Sequence, residues 1–144
     1  ARFHPIEIIL SMGIKLAVVA ALGPPTLAVL IFEVLLNATA MFNHSNTHIP
    51  EKIDQVLRLL VVTPDMHRVH HSVKAPLTNA NFGFNLPWWD RFMGTYVAQP
   101  DDGHLKMEIG LSELRDPKRT NTLPGMLTLP FIRQLGQYTI NRRW

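Results

Sequence analysis

The sequence predicts an all-α protein in which a membrane helical hairpin precedes a helical, histidine-bearing cap with ordered loops. The prediction depends on the charge distribution, on two apolar segments, and on a histidine cluster at helical spacing. Between Ile8 and Phe42 only Lys15 and Glu33 carry charge, whereas most charged residues follow Pro50. That asymmetry indicates a membrane-embedded front followed by a polar region.

The apolar segments cover residues 6–22 and 26–42. Each has about 17 residues, the lower limit for crossing a bilayer, so a re-entrant hairpin and the buried hairpin of a soluble protein remain alternatives. Gly23-Pro24-Pro25 ends one helix and lets the next begin. Lys15 and Glu33 are equally far from Pro24, which predicts matching depth and pairing, with snorkelling of Lys15 as the alternative.

Composition excludes several kinds of site. The chain has no cysteine and seven histidines, so a metal site would use nitrogen and oxygen ligands only. The net charge of +3 comes without a lysine-rich run, which favours contact with lipid headgroups over nucleic acid. Nucleophile-elbow, phosphate-loop, dinucleotide and His-Glu-x-x-His motifs are absent from the sequence.

A third helix is predicted to begin at Pro50. Its apolar face comprises Ile53, Val56, Leu57, Leu60 and Val61, whereas Glu51, Lys52, Gln55 and Arg58 are predicted to point elsewhere. This pattern suits a helix at the membrane surface and equally an amphipathic core helix.

The fourth predicted helix carries a histidine cluster. Thr63 is its expected N-cap, followed by Pro64 at the first helical position. His67, His70 and His71 have i, i+3, i+4 spacing and therefore share one face. Neutral imidazoles suit iron, zinc, copper or nickel, so the cluster predicts a metal site, with a solvated cluster as the alternative.

A second histidine pair precedes this cluster. His44 and His48 have i, i+4 spacing and continue a polar stripe from Glu33 and Asn37 along the second helix. Both are candidate ligands, and His44 is the stronger one. His4 is a candidate neighbour of the site or a plain helix-end histidine, and His104 is predicted to be a surface residue.

Several motifs, taken in order, resemble the fatty acid hydroxylase/sterol desaturase superfamily over the first two-thirds of the chain. They are Arg2-Phe3-His4-Pro5, Phe42-Asn43-His44-Ser45-Asn46, Thr63-Pro64-Asp65-Met66-His67-Arg68-Val69-His70-His71-Ser72, Asn81-Phe82-Gly83 and Trp89-Asp90-Arg91-Phe92-Met93-Gly94-Thr95-Tyr96. The histidine box together with the downstream Trp-Asp-Arg and Gly-Thr-Tyr motifs is a far more specific signal than the box alone.

The resemblance implies an integral membrane, non-haem di-iron oxidoreductase of the bacterial inner membrane or endoplasmic reticulum, with its cap facing the cytosol. It implies two iron ions held by histidines, with zinc as a substitute. Expected partners are a membrane lipid or sterol substrate, O2 and an external electron donor, cytochrome b5-like or ferredoxin-like, and no nucleic acid. The expected reaction is hydroxylation or desaturation of that lipid or sterol.

The resemblance also implies roles for individual residues. His67, His70, His71, His44 and His48 are the expected metal ligands. Three other residues are expected to support the ligands on the basis of their type and position. Asp90 and Asn46 are expected to accept from a ligand N–H or to form a polar contact such as a salt bridge, with loop closure as the alternative. His4 is a candidate neighbour of the site.

Members of the superfamily carry further histidine boxes that this sequence lacks, so the chain is expected to be the C-terminal part of a longer enzyme. A non-catalytic membrane protein that retains the fold for lipid binding or assembly is the alternative. Zinc-dependent hydrolysis is disfavoured because no carboxylate base stands beside the histidines. The predicted divisions are a hairpin with the start of the metal site (1–48), a histidine-box cap with its loop (49–100) and a polar C-terminal segment (101–144) with a second interfacial helix over 124–138.

Overall fold

A computed structural model describes residues 4–112 and 114–132 of the chain. Two long helices, α1 (Pro5–Leu22) and α2 (Thr26–Asn43), come first. Short helices follow: α3 (Glu51–Leu57), α4 (Pro64–His70), α5 (Ala75–Thr78), α6 (Trp88–Met93), α7 (Gly103–Lys106), α8 (Pro117–Thr120) and α9 (Leu123–Thr128), then a 3₁₀ turn over Leu129–Phe131. Within the described residues there is no strand, and the all-α prediction is confirmed.

The apolar hairpin is formed by α1 and α2. Gly23 ends α1 in the left-handed conformation (φ 59°), which a side chain would disfavour, and Pro25 precedes α2. Both helices are long and apolar enough to cross a membrane, and almost none of their surface is buried. The Lys15 Nζ lies 2.7 Å from Glu33 Oε1, which confirms the predicted pairing.

Helix α3 keeps Arg58 off its apolar face, as the sequence predicted. Arg58 is buried against Asp54 and donates to the Ala98 carbonyl at 2.7 Å, so a loop from far along the chain satisfies the guanidinium. The apolar residues Ile53, Val56 and Leu60 are exposed. Of the two alternatives for this helix, the exposed apolar face favours the membrane surface over the core.

Helix α4 lies at the centre of the cap. The Thr63 hydroxyl accepts a hydrogen bond from the Met66 N–H, as the sequence predicted, and Pro64 occupies the first turn. The inner face of α4 buries Met66 and Val69 completely, and Val69 packs against Leu77 and Met107. This small apolar cluster holds one side of the helix, while His67 faces His44 at the end of α2.

The segment between α4 and α7 was predicted to be an ordered loop. It is ordered, and it also contains α5 and α6. Its middle part is tied to the end of α2, because the Asn43 side chain donates to the Phe84 carbonyl at 2.9 Å and the Thr39 hydroxyl donates to Asn85 Oδ1 at 2.8 Å. The cap is therefore attached to the last two turns of the hairpin.

The C-terminal segment returns to the start of α1. Helix α9 and the 3₁₀ turn occupy the beginning of the predicted interfacial helix over 124–138, and the remainder of that prediction lies outside the described residues. The His4 imidazole bridges the two regions, since its Nδ1 accepts from the Ile6 N–H and its Nε2 donates to the Leu127 carbonyl at 3.2 Å.

Candidate metal centre

Three histidine nitrogens converge where the end of α2 meets α4. His67 Nε2 lies 3.1 Å from His44 Nε2 and 3.1 Å from His71 Nε2. All three candidate ligand atoms lie within 4.8 Å of one another. His67 is only 6% exposed, whereas His71 is exposed at the edge of the group. The structure therefore brings together one ligand from the α2 end and two from α4.

Backbone carbonyls set the tautomers of two histidines. The Nδ1 of His44 lies 2.9 Å from the Ala40 carbonyl, and that of His70 lies 3.1 Å from the Ala80 carbonyl. A carbonyl only accepts, so each Nδ1 carries the proton and each Nε2 keeps its lone pair. This arrangement is typical of metal-ligating histidines, whose second nitrogen is usually held by an outer partner.

The contacts around His67 Nε2 fit a cation. In a neutral imidazole, Nε2 carries either one proton or one lone pair. His67 Nε2 can therefore form a linear hydrogen bond with His44 or with His71, but not with both, although each lies 3.1 Å away. The Nδ1 of His67 is buried without a hydrogen-bond partner in the described structure. A metal ion shared by the three Nε2 atoms would use the lone pairs that otherwise face one another.

Electrostatics keep the central imidazole neutral. Burial, followed by the proximity of His71, His44 and His70, lowers the pKa of His67 from 6.5 to about 3. Burial also lowers the pKa of His71, with further contributions from His70 and His44. Because neutral imidazole is the ligating form, His67 gives up no proton when a metal binds at neutral pH.

The other predicted ligands occupy different positions. The His70 ring lies 5.8 Å from that of His67 and 5.5 Å from that of His71, so it borders the group although its nitrogens are not among the three that converge. His48 is exposed and lies outside the group. Helix α2 ends at Asn43, so the helical spacing that would align His48 with His44 does not continue.

The predicted supporting residues do not contact a histidine ligand through a hydrogen bond in the described structure. Asn46 is exposed and lines an open groove of about 420 Å³ beside His44 and His71. Asp90 is buried and accepts from the Phe82 and Gly83 N–H groups and the Thr95 hydroxyl, which matches the loop-closure alternative. His4 caps α1 away from the three converging nitrogens.

His104 was predicted to be a surface residue, and the structure shows otherwise. Both of its ring nitrogens are buried without a partner in the described structure. Burial lowers its pKa, with Asp65 opposing the shift and Arg68 reinforcing it. The prediction failed because α7 packs against α4, a contact that the polar sequence around Asp101-Asp102-Gly103 does not reveal.

Asn81 links α4 to the loop after α6, a role that its position in the sequence did not predict. It is fully buried at φ 51°, its side-chain NH₂ donates to the Met66 and Val97 carbonyls, and its Oδ1 accepts from the Val97 N–H. The next residue, Phe82, places its ring 5.5 Å from the His70 ring. An asparagine ahead of Phe-Gly is the one local signal, since asparagine tolerates the left-handed conformation.

Comparison with known proteins identifies the family of this sequence. The sequence model described as fatty acid hydroxylase matches residues 1–95, a range that contains all four clustered histidines. The chain belongs to the fatty acid hydroxylase family. With its two apolar helices, this hydroxylase-family chain is membrane-associated.

The chain is also similar to a known lipid hydroxylase. The chain is 29% identical over 99 residues to an ornithine lipid hydroxylase, OlsE, of Rhizobium tropici. The match covers 69% of this chain and 29% of that protein. No solved structure matches the chain.

Proposed function

We propose that this chain provides histidine ligands for the iron centre of an O2-dependent lipid hydroxylase. The convergence of one ring nitrogen each from His44, His67 and His71 within 4.8 Å carries the proposal. Family membership supports the reaction class, and the related ornithine lipid hydroxylase supports a polar membrane lipid as substrate. Hydroxylation of a sterol, or desaturation of a lipid or sterol, would use the same iron- and O2-dependent oxidation of a C–H bond.

The donor set supports iron. Only imidazole nitrogens meet at the site, which suits iron and also zinc. Bound iron would supply the redox chemistry that no side chain can, because oxidation of an unactivated C–H bond needs a redox cofactor. Zinc would fill the same ligands without that chemistry.

Two irons need more ligands than the described cluster offers. A closed site uses about four ligands, so two sites need roughly twice that number. His44, His67 and His71 offer three ligand atoms and His70 borders them, which is fewer than two sites need. In the proposed enzyme, further histidines of a longer protein complete a second iron site.

The protein's own residues would orient the metal and admit the reactants. The carbonyls of Ala40 and Ala80 hold the imidazoles of His44 and His70 with their Nε2 lone pairs free. The groove beside His44 and His71 offers an approach for O2 or substrate. Hydroxylation consumes O2, two protons and two electrons and releases water. An external electron donor, cytochrome b5-like or ferredoxin-like, is therefore required. A cap that faces the cytosol would let such a donor bind directly.

The test is product formation by the His67→Ala variant in the complete protein with lipid, O2 and a reductant. We expect hydroxylated lipid to fall below detection while membrane insertion is unchanged, because the hairpin and not the cap spans the bilayer. The matched control is His104→Ala, which removes a histidine outside the cluster and should retain product formation. Full turnover by His67→Ala would contradict a catalytic role for this box and favour the non-catalytic alternative.

A further inference from the structure

The cap exposes apolar side chains on two helices, α3 and α6. Phe92 on α6 is 85% exposed, more than any apolar residue of the hairpin. The exposed residues comprise Ile53, Val56, Leu59 and Leu60 in and just after α3, and Trp88, Trp89, Phe92 and Met93 on α6. We call this set the α3–α6 face. Contiguous apolar surface of this kind marks an interaction site in a folded protein.

Hydrogen bonds join the two helices into one unit. The Trp88 indole N–H donates to the Leu59 carbonyl at 2.5 Å, and the Arg91 guanidinium donates to the Arg58 carbonyl at 3.2 Å. Below them the buried Asp54–Arg58 pair occupies the inner side of α3. The apolar side of α3 therefore points outward because its polar side is fixed inward. Rotation of this helix would expose the ion pair and break the hydrogen bond from Arg58 to the Ala98 carbonyl.

The α3–α6 face is continuous with the hairpin surface. The Asn43–Phe84 and Thr39–Asn85 hydrogen bonds lay the chain before α6 along the end of α2. Leu36 then lines the same cavity of about 490 Å³ as Trp89 and Met93. At 1.5 Å per residue, Leu36 lies ~10 Å along α2 from Asn43, so α6 is beside the apolar part of that helix.

From this continuity we propose that the α3–α6 face is a second membrane contact, which seats the cap in the boundary between lipid headgroups and acyl chains. Paired tryptophans beside an exposed arginine suit that boundary, where amphipathic rings concentrate. The occupant is lipid because lipid already surrounds the hairpin surface that the face extends. The contact is independent of which metal or reaction the histidines support.

This chain contains no cysteine, so single-cysteine labelling requires only that any cysteine elsewhere in the complete protein is first replaced by serine. Phe92→Cys and Ile53→Cys variants of the complete protein would each carry an environment-sensitive dye, in vesicles of phosphatidylethanolamine and phosphatidylglycerol. The matched control is Lys106→Cys, at an exposed position on α7 near the water-facing Lys74–Asp102 pair. Two sites on separate helices keep the test valid if one variant fails to fold.

We expect dyes at positions 92 and 53 to show blue-shifted emission, strong quenching by nitroxides on lipid acyl chains, and little quenching by iodide. The dye on position 106 should respond to iodide alone. Iodide quenching at 92 and 53 equal to that at 106 would overturn the proposal. So would disulfide cross-linking of position 92 between two copies in the same vesicles, because a second copy would then cover the face.

Discussion

The hairpin and the cap distribute polar and apolar side chains in opposite ways. In the cap, the Asp54–Arg58 pair is 4% exposed on each side, and the small apolar core is Val69, Leu77 and Met107. In the hairpin, the Lys15–Glu33 pair is about one-third exposed, at 35% and 36%, and nearly all apolar residues face outward. Buried hydrogen bonds and ion pairs therefore determine the fold of the cap, whereas surrounding lipid must stabilise the hairpin.

The strongest test of this contrast breaks the buried pair. Arg58→Met leaves the Asp54 carboxylate buried without its partner, so the free energy of unfolding of the cap should fall by about 3–5 kcal/mol. Amide hydrogen exchange of α4 in lipid nanodiscs measures this change. The double variant Asp54→Leu/Arg58→Met should recover most of the loss.

The exposed pair Lys74–Asp102, at 51% and 47% exposure, supplies the matched control. Asp102→Asn should leave the free energy of unfolding almost unchanged, because water screens such pairs. An equal cost for Arg58→Met and Asp102→Asn would show that the buried pair does not specify the cap.

A smaller effect is expected at Asn81, whose side chain links α4 to the loop after α6. Asn81→Ala should cost about 2–3 kcal/mol, since it leaves buried backbone groups unpaired and places alanine at φ 51°. Asn81→Gly should cost less, because glycine accepts that φ. Denaturant unfolding of both variants measures the difference, and Asn46→Ala, at an exposed position, is the near-neutral control. An unchanged free energy of unfolding in Asn81→Ala would show that Asn81 does not stabilise the cap.

The last effect, small near neutral pH, is a pH dependence in the metal-free protein. The unfolded chain binds a proton at His67 below pH 6.5, whereas the folded chain does not until about pH 3. Stability is therefore lost as pH falls from 6.5 towards 3, with a slope of at most ~1.4 kcal/mol per pH unit for one proton. Unfolding of wild type and His67→Gln at successive pH values measures it, and an identical slope in both would contradict the shift.

Local patterns predicted the features that depend on neighbouring residues. The Gly-Pro-Pro turn, the Lys15–Glu33 pairing and the Thr63 cap all follow from spacing within one or two helices. The sequence also placed His67 and His71 on one face of α4 near His44, because i, i+4 positions adjoin on any helix.

Features that depend on distant partners were not predictable in this way. Arg58 turns inward because Ala98 supplies a carbonyl forty residues later in the chain. His48 leaves the histidine stripe because α2 ends at Asn43, whose side chain instead binds the Phe84 carbonyl. The same holds for Asn81, whose importance depends on Met66 and Val97.

Metal content tests the central claim, that His44, His67 and His71 bind one ion. The chain of 144 residues would be loaded anaerobically with ferrous iron and compared with His67→Ala and with His104→Ala, which removes a histidine outside the cluster. Elemental analysis and X-ray absorption should show one exchangeable, nitrogen-ligated iron per chain in wild type and His104→Ala, and none in His67→Ala. Equal iron in His67→Ala, or two tightly held irons per wild-type chain, would contradict the account.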